Sequence, residues 1–166
     1  MAAFAIATLA ANAQTYVGGG FNFSKVGDYN EFGIKPEIGT ALSDKWGIGI
    51  EFGFSTKKDV ETKIEVNPYV RYQAVQIGKW NIFVDGGVYF NSTKPEGKDA
   101  VNTFGLNIAP GLAFNLSDKF SIVAKAGNLF ALDFSKPADD TKIDLVAGSK
   151  NNFTFGGLSF GFYYNF

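Results

Sequence analysis

The chain has no cysteine and no histidine. The first absence removes disulfides, thiolate metal sites and cysteine nucleophiles. The second removes the commonest general base, the commonest metal ligand and the side chain that titrates near neutral pH. Excess charge is missing as well. Lys and Arg number 15 against 16 Asp and Glu, a net charge of -1 over 166 residues. Without a basic surplus, nucleic acid is not expected as a partner. No apolar run is long enough to span a membrane as a helix, because glycines or charges interrupt each one. No Walker-type phosphate loop occurs, and Gly18-Gly19-Gly20 falls inside an expected strand. What abounds is glycine (20), phenylalanine (18) and tyrosine (7). That composition suits strands rather than helices, in a chain long enough for one domain.

Residues Ala2 to Ala11 form a short, alanine-rich apolar run, followed by Ala11-Asn12-Ala13 with Gln14 next. An A-x-A site after a short apolar run marks secretory cleavage. Residues 1–13 are therefore expected to be a signal peptide, truncated in lacking a positive start, with cleavage between Ala13 and Gln14. Residues 14–166 would be the mature domain. A frayed apolar terminus is the plainer alternative.

Eight alternating segments follow, near 15–23, 32–42, 46–54, 63–74, 80–90, 103–116, 120–131 and 153–166. Two of the links between them repeat one sequence: Leu42-Ser43-Asp44-Lys45-Trp46 and Leu116-Ser117-Asp118-Lys119-Phe120. A looser copy turns near Gln76-Ile77-Gly78-Lys79. These short turns alternate with longer polar loops at 24–31, 55–62, 91–102 and 132–152. Short turns on one side and long loops on the other are the topology of an outer-membrane barrel.

One face of the segments is apolar and bulky, for example Trp46, Ile48, Ile50, Phe52 and Phe54 in the third. It carries no charge. The other face mixes glycine with Lys35, Glu37, Glu51, Glu65, Arg71, Asp85 and Lys125. A soluble lipocalin-like barrel would turn the bulky face inward and overfill a ring of eight strands. A membrane barrel turns it outward and puts glycine where the interior is crowded. The remaining charges fall in turns and loops. None is left for the lipid face, where one would cost about 2–4 kcal/mol at mid-depth. Pro36, Pro68 and Pro110 lie within strands and are expected to mark bulges. The expected fold is all-β, a transmembrane eight-stranded antiparallel up-and-down β-barrel.

From about residue 15 to 166 the chain resembles the small eight-stranded outer-membrane barrels of the OmpX type and the transmembrane domain of OmpA. The most specific feature is its end, Phe160-Gly161-Phe162-Tyr163-Tyr164-Asn165-Phe166. A final Phe with aromatics at alternate positions (Phe160, Phe162, Tyr164 and Phe166) resembles the signal read by the barrel-assembly machinery. The resemblance implies the bacterial cell outer membrane of a Gram-negative cell. It also implies outer-membrane lipid around the wall and the assembly machinery as a partner during biogenesis. A closed barrel leaves no strand edge unsatisfied, so a monomer is expected.

Folding the first repeated hairpin about Asp44 sets Glu37 opposite Glu51, with Lys35 one diagonal step from Glu51. The two glutamates would have to share a proton unless a cation comes between them. Setting Ala74 opposite Trp80 places Asp85 diagonal to Arg71. The last hairpin places Lys125 opposite Gly111. These charges either pack into a salt-bridge network that closes the lumen or line a narrow water-filled path. An interior only wide enough for side chains favours packing. The expected role is a structural or surface-interaction scaffold presenting four loops, among whose residues Lys57, Lys58 and Asp59 stand out. The alternative is a narrow porin-like channel for ions or small solutes. No catalytic residue, cofactor site or metal site is assigned: Asp139, Asp140 and Asp144 lack EF-hand spacing, and without histidine an enzyme is not expected.

Overall fold

The computed structural model describes residues 14–26, 29–57, 60–126, 130–136, 142–147 and 158–166. They form ten strands and no helix: β1 (Thr15–Val26), β2 (Tyr29–Ala41), β3 (Trp46–Lys57), β4 (Glu61–Ile77), β5 (Trp80–Pro95), β6 (Val101–Asn115), β7 (Phe120–Ala126), β8 (Phe130–Lys136), β9 (Lys142–Ala147) and β10 (Leu158–Asn165). Every pairing is antiparallel, and the β5–β6 and β1–β10 ladders close the sheet on itself. β7 and β8 both pair with β6, one above the other. β10 pairs with β7, and β9 with β8. Ten segments thus build the eight staves of an up-and-down barrel. The expected signal peptide, with Ala13, lies outside the described residues, as do Lys58, Asp59, Asp139 and Asp140. Gln14 is described, and its carbonyl accepts the Ala41 amide at 2.9 Å.

The repeated pentapeptide has one local cause. In the first copy the Ser43 hydroxyl accepts the amides of Lys45 and Trp46 at 3.3 and 3.1 Å. In the second, Ser117 accepts those of Lys119 and Phe120 at 3.3 and 3.1 Å. A turn that leaves two amides outside the ladder needs a short side-chain acceptor there, and serine supplies it. In the third turn Gly78 takes a left-handed backbone, φ 58°, which allows Ile77 to face Trp80 across two residues.

Several details differ from the sequence reading. The loops expected at 24–31 and 55–62 are largely strand, since β1 runs to Val26, β2 starts at Tyr29, β3 runs to Lys57 and β4 starts at Glu61. The expected strand at 120–131 runs in two parts, and β9 occupies ground expected to be loop. Gly111 faces Lys125 while Ile108 faces Phe130, so two extra residues enter the stave between β7 and β8. The prolines do not mark bulges at Pro36 or Pro68. Register continues unchanged past both, with only two ladder pairs missing at each, those of Lys35 and Pro36 and those of Asn67 and Pro68, where the proline N–H is absent. Pro110 lies opposite the β7–β8 break. The irregularity in the β4–β5 ladder falls instead between Gln73 and Val75, at Ala74.

The outer wall is apolar. Trp46, Phe52, Phe54, Ile82, Leu106 and Ile108 are exposed on it, each between 41% and 50%. At the turn end the wall carries a belt of paired rings: Trp46 with Tyr72 at 4.8 Å, Trp80 with Phe114 at 4.6 Å, and Phe120 with Tyr164 at 5.1 Å. Such belts sit at the headgroup level of a bilayer. The interior is filled by aromatics lodged against glycines on the neighbouring strand. Tyr16 faces Gly39, Tyr69 faces Gly49, Phe83 faces Gly111 and Tyr89 faces Gly105. A Cβ at any of these glycines would collide with the facing ring. The inner glycines therefore make room for side chains that fill a narrow lumen.

Candidate functional site: the charged lumen

The inward positions of β2 to β5 and β7 carry all seven charges expected there, and the structure brings them together. Arg71 and Asp85 are directly opposed across β4 and β5. The guanidinium grips the carboxylate in a fork, Nε to Oδ1 and Nη2 to Oδ2, each 2.7 Å. The diagonal placement expected for this pair is corrected: Ile77, not Ala74, faces Trp80 across a two-residue turn, and with the one-residue irregularity at Ala74 this leaves Arg71 directly opposite Asp85. Arg71 Nη2 also reaches Glu37 Oε1 at 3.4 Å and the Tyr163 hydroxyl at 3.0 Å. The guanidinium lies 3.9 Å from the centre of the Phe83 ring and 5.2 Å from those of Tyr16, Tyr69 and Tyr163. Tyr69 donates to Glu37 Oε1 at 3.1 Å, and the Tyr16 and Tyr69 hydroxyls are 2.7 Å apart.

Glu37 and Glu51 stand opposite one another as expected. The cation that could separate them is present. Lys125, opposite Gly111, extends across the lumen to Glu37 Oε2, to Glu51 Oε2 at 3.1 Å and to Asp85 Oδ2 at 3.4 Å. Lys35 lies 3.3 Å from Glu51 Oε1 and 3.5 Å from Glu65 Oε1.

One further cation belongs to the set. Lys63, counted with the loop charges in the sequence reading, lies 3.0 Å from Glu65 Oε2. Its odd number places it on the face of Glu65, Tyr69 and Arg71, which was the available signal. Tyr16, Phe83 and Tyr163, which box in Arg71, were likewise missed, although Phe83 shares the parity of Asp85. Towards the loop end Tyr89 donates to Asp133, an acid also assigned to a loop.

The result is a ladder of alternating charge along the barrel axis. It runs from Lys63 through Glu65, Lys35, Glu51 and Lys125 to Glu37 and Asp85, and ends on Arg71. Four cations meet four carboxylates. Its two ends differ. The Lys63 and Lys35 side chains are 39% and 37% exposed, whereas those of Arg71 and Glu37 are 5% and 1%. On the turn side of Arg71 opens a vestibule of about 1370 Å³, lined among others by Thr40, Gln73, Asn81, Asn115 and Ser121. No group of His, Asp and Glu suited to a metal occurs among the described residues. The aromatics Phe160 and Phe162 of the expected assembly signal face outward on β10, and Tyr164 packs between Phe120 and Phe166.

The family described as outer membrane protein beta-barrel domain matches residues 1–166. No curated protein sequence matches the chain. Among solved structures, it is similar to the N-terminal β-barrel domain of OprF from Pseudomonas aeruginosa, at 16% identity and a TM-score of 0.60, covering 93% of this chain and 98% of that one. A major outer membrane protein from Thermus thermophilus gives 15% identity and a TM-score of 0.61, covering 93% and 100%. Neisserial surface protein A gives 11% and 0.60, covering 93% and 96%. At these identities the likeness is one of fold.

Proposed function

The chain belongs to the outer membrane protein β-barrel domain family, a protein of the bacterial outer membrane, and we propose that it acts there as a plugged scaffold. In this reading the barrel anchors the chain in lipid as a monomer and offers its loop end to ligands at the cell surface. The final aromatics are read by the barrel-assembly machinery during biogenesis. The observation that carries the proposal is the middle of the charge ladder. There Arg71, Glu37, Asp85 and Lys125 fill the lumen, each bonded to at least two others or to a boxed-in tyrosine. A charge held by several partners in a dry interior is not easily displaced by a passing ion.

A second reading, a narrow channel, is favoured by the turn-side vestibule and by the half-buried Lys35 and Lys63 on the loop side. Water reaches both ends of the ladder, so only the tier around Arg71 and Lys125 separates them. The full chain, refolded into a planar bilayer, tests the choice. The scaffold reading expects no steady openings from protein shown to be inserted. Steady unitary currents that change with Lys35→Gln or Glu51→Gln would overturn it in favour of a pore.

A further inference from the structure

The two identical turns put three chemistries in a fixed order of depth. Trp46 and Phe120 begin strands on the outer wall and pair with Tyr72 and Tyr164 in the aromatic belt. The residue next outward is a lysine in both. Its backbone is held at the rim because the Lys45 carbonyl accepts the Gln73 amide, and the Lys119 carbonyl the Asn165 amide, each at 2.8 Å. Beyond it, at the apex, stands an aspartate, Asp44 or Asp118. The third turn has the same lysine, whose carbonyl accepts the Asn115 amide at 2.8 Å, and the same following aromatic, Lys79-Trp80. Glycine, not aspartate, precedes that lysine.

All five charged residues are exposed. Among the described residues none of them enters an ion pair, although acid and base are neighbours in sequence. The eight charges of the lumen ladder are, by contrast, all paired. The rim charges are therefore available to something outside the protein, and the belt places that something in the headgroup layer.

We propose that the Asp44-Lys45 and Asp118-Lys119 turns each bind the phosphoethanolamine headgroup of a phospholipid in the turn-side leaflet. From the acyl chains outward, such a headgroup presents glycerol esters, then a phosphate, then a primary ammonium. The turns present an aromatic ring, then a lysine, then an aspartate. Lysine meets the phosphate and aspartate meets the ammonium, whose three N–H donors match a carboxylate. The Gly78-Lys79 turn can hold the phosphate alone and serves as an internal control. The inference rests on the chain sitting in a bilayer and is independent of whether its lumen conducts.

The full chain is refolded into vesicles of equal phosphatidylethanolamine and phosphatidylglycerol with matched acyl chains. It is then extracted gently, and the lipids that remain bound are quantified by mass spectrometry. Exposed ion pairs of this kind are worth enough for an enrichment of phosphatidylethanolamine of about threefold. The double variant Asp44→Asn/Asp118→Asn should keep bound lipid but reverse the preference towards phosphatidylglycerol. Lys45→Gln/Lys119→Gln should lose the enrichment, and Lys79→Gln should leave it. Folding of each variant is confirmed by the heat-dependent gel mobility of the barrel. An inserted wild type that holds both lipids equally overturns the headgroup reading and leaves the barrel reading standing. So does an unchanged ratio in the aspartate double variant. A wild type that fails to insert overturns both.

Discussion

Arg71 holds two carboxylates and a phenol while its flat face rests on Phe83. Removing it leaves Asp85 and Glu37 buried with Lys125 as their remaining cation. Arg71→Leu should destabilise the barrel by about 3–5 kcal/mol, the usual cost of breaking a buried pair from one side. Arg71→Leu/Asp85→Leu should recover a good part of that loss, because no uncompensated charge stays behind. Urea unfolding of the refolded barrel in detergent measures both. A double variant no more stable than the single would show that packing against Phe83, not charge, is what Arg71 supplies. At this scale the sequence was informative wherever parity was followed to the ends of strands. The seven lumen charges share the inner face with glycine, so their pattern is plain. Lys63 and Asp133 lie on the same face, but Lys63 stands near the start of β4 and Asp133 past the end of the strand expected at 120–131, and such limits depend on cross-strand partners that a local pattern does not contain.

Strand pairing shows the same division. Glu37 facing Glu51 and Gly111 facing Lys125 were legible because the two Ser-Asp-Lys turns set the register of their hairpins. Arg71 facing Asp85 was not, because the third turn lacks the Ser-Asp-Lys that marks where a hairpin closes, and nothing in the run Gln73-Ala74-Val75 announces the irregularity there. The break between β7 and β8 and the strand β9 were hidden by polar residues that blur alternation. The pairing of inner glycine with a facing ring also belongs to this scale, and it makes a coupled prediction. Gly111→Ala drives a Cβ into the Phe83 ring and should cost about 1–3 kcal/mol, as overpacking does. Phe83→Leu opens space at the same point. Combining the two should cost less than the sum of the single changes by about 0.5–3 kcal/mol. Additive costs in an unfolding double-mutant cycle would mean that the glycine is required for its backbone rather than for the ring opposite.

Over the whole molecule the division between faces is the reverse of a soluble protein's: ions and hydroxyls within, Phe, Ile and Leu outside. From Trp80 to Phe90 the outward residues of β5 are Trp80, Ile82, Val84, Gly86, Val88 and Phe90, without a charge. Ten strand steps at the usual rise and tilt span about 25 Å, the height of the apolar band of an outer-membrane barrel. This was the most legible property of the sequence, since a face without charge needs no knowledge of pairing to be seen. It also makes stability depend on depth rather than on burial within the protein. Ile108 is 43% exposed, midway along β6, and faces Gly86. Leu116 is 53% exposed, next to Ser117 in the turn. By the logic of a soluble surface either position would tolerate arginine. In a bilayer Ile108→Arg should cost about 2–4 kcal/mol and Leu116→Arg about 0–1 kcal/mol. Unfolding both variants from lipid vesicles reads the difference. Equal small costs would place the wall in water and remove the basis for reading this face as the one that meets lipid.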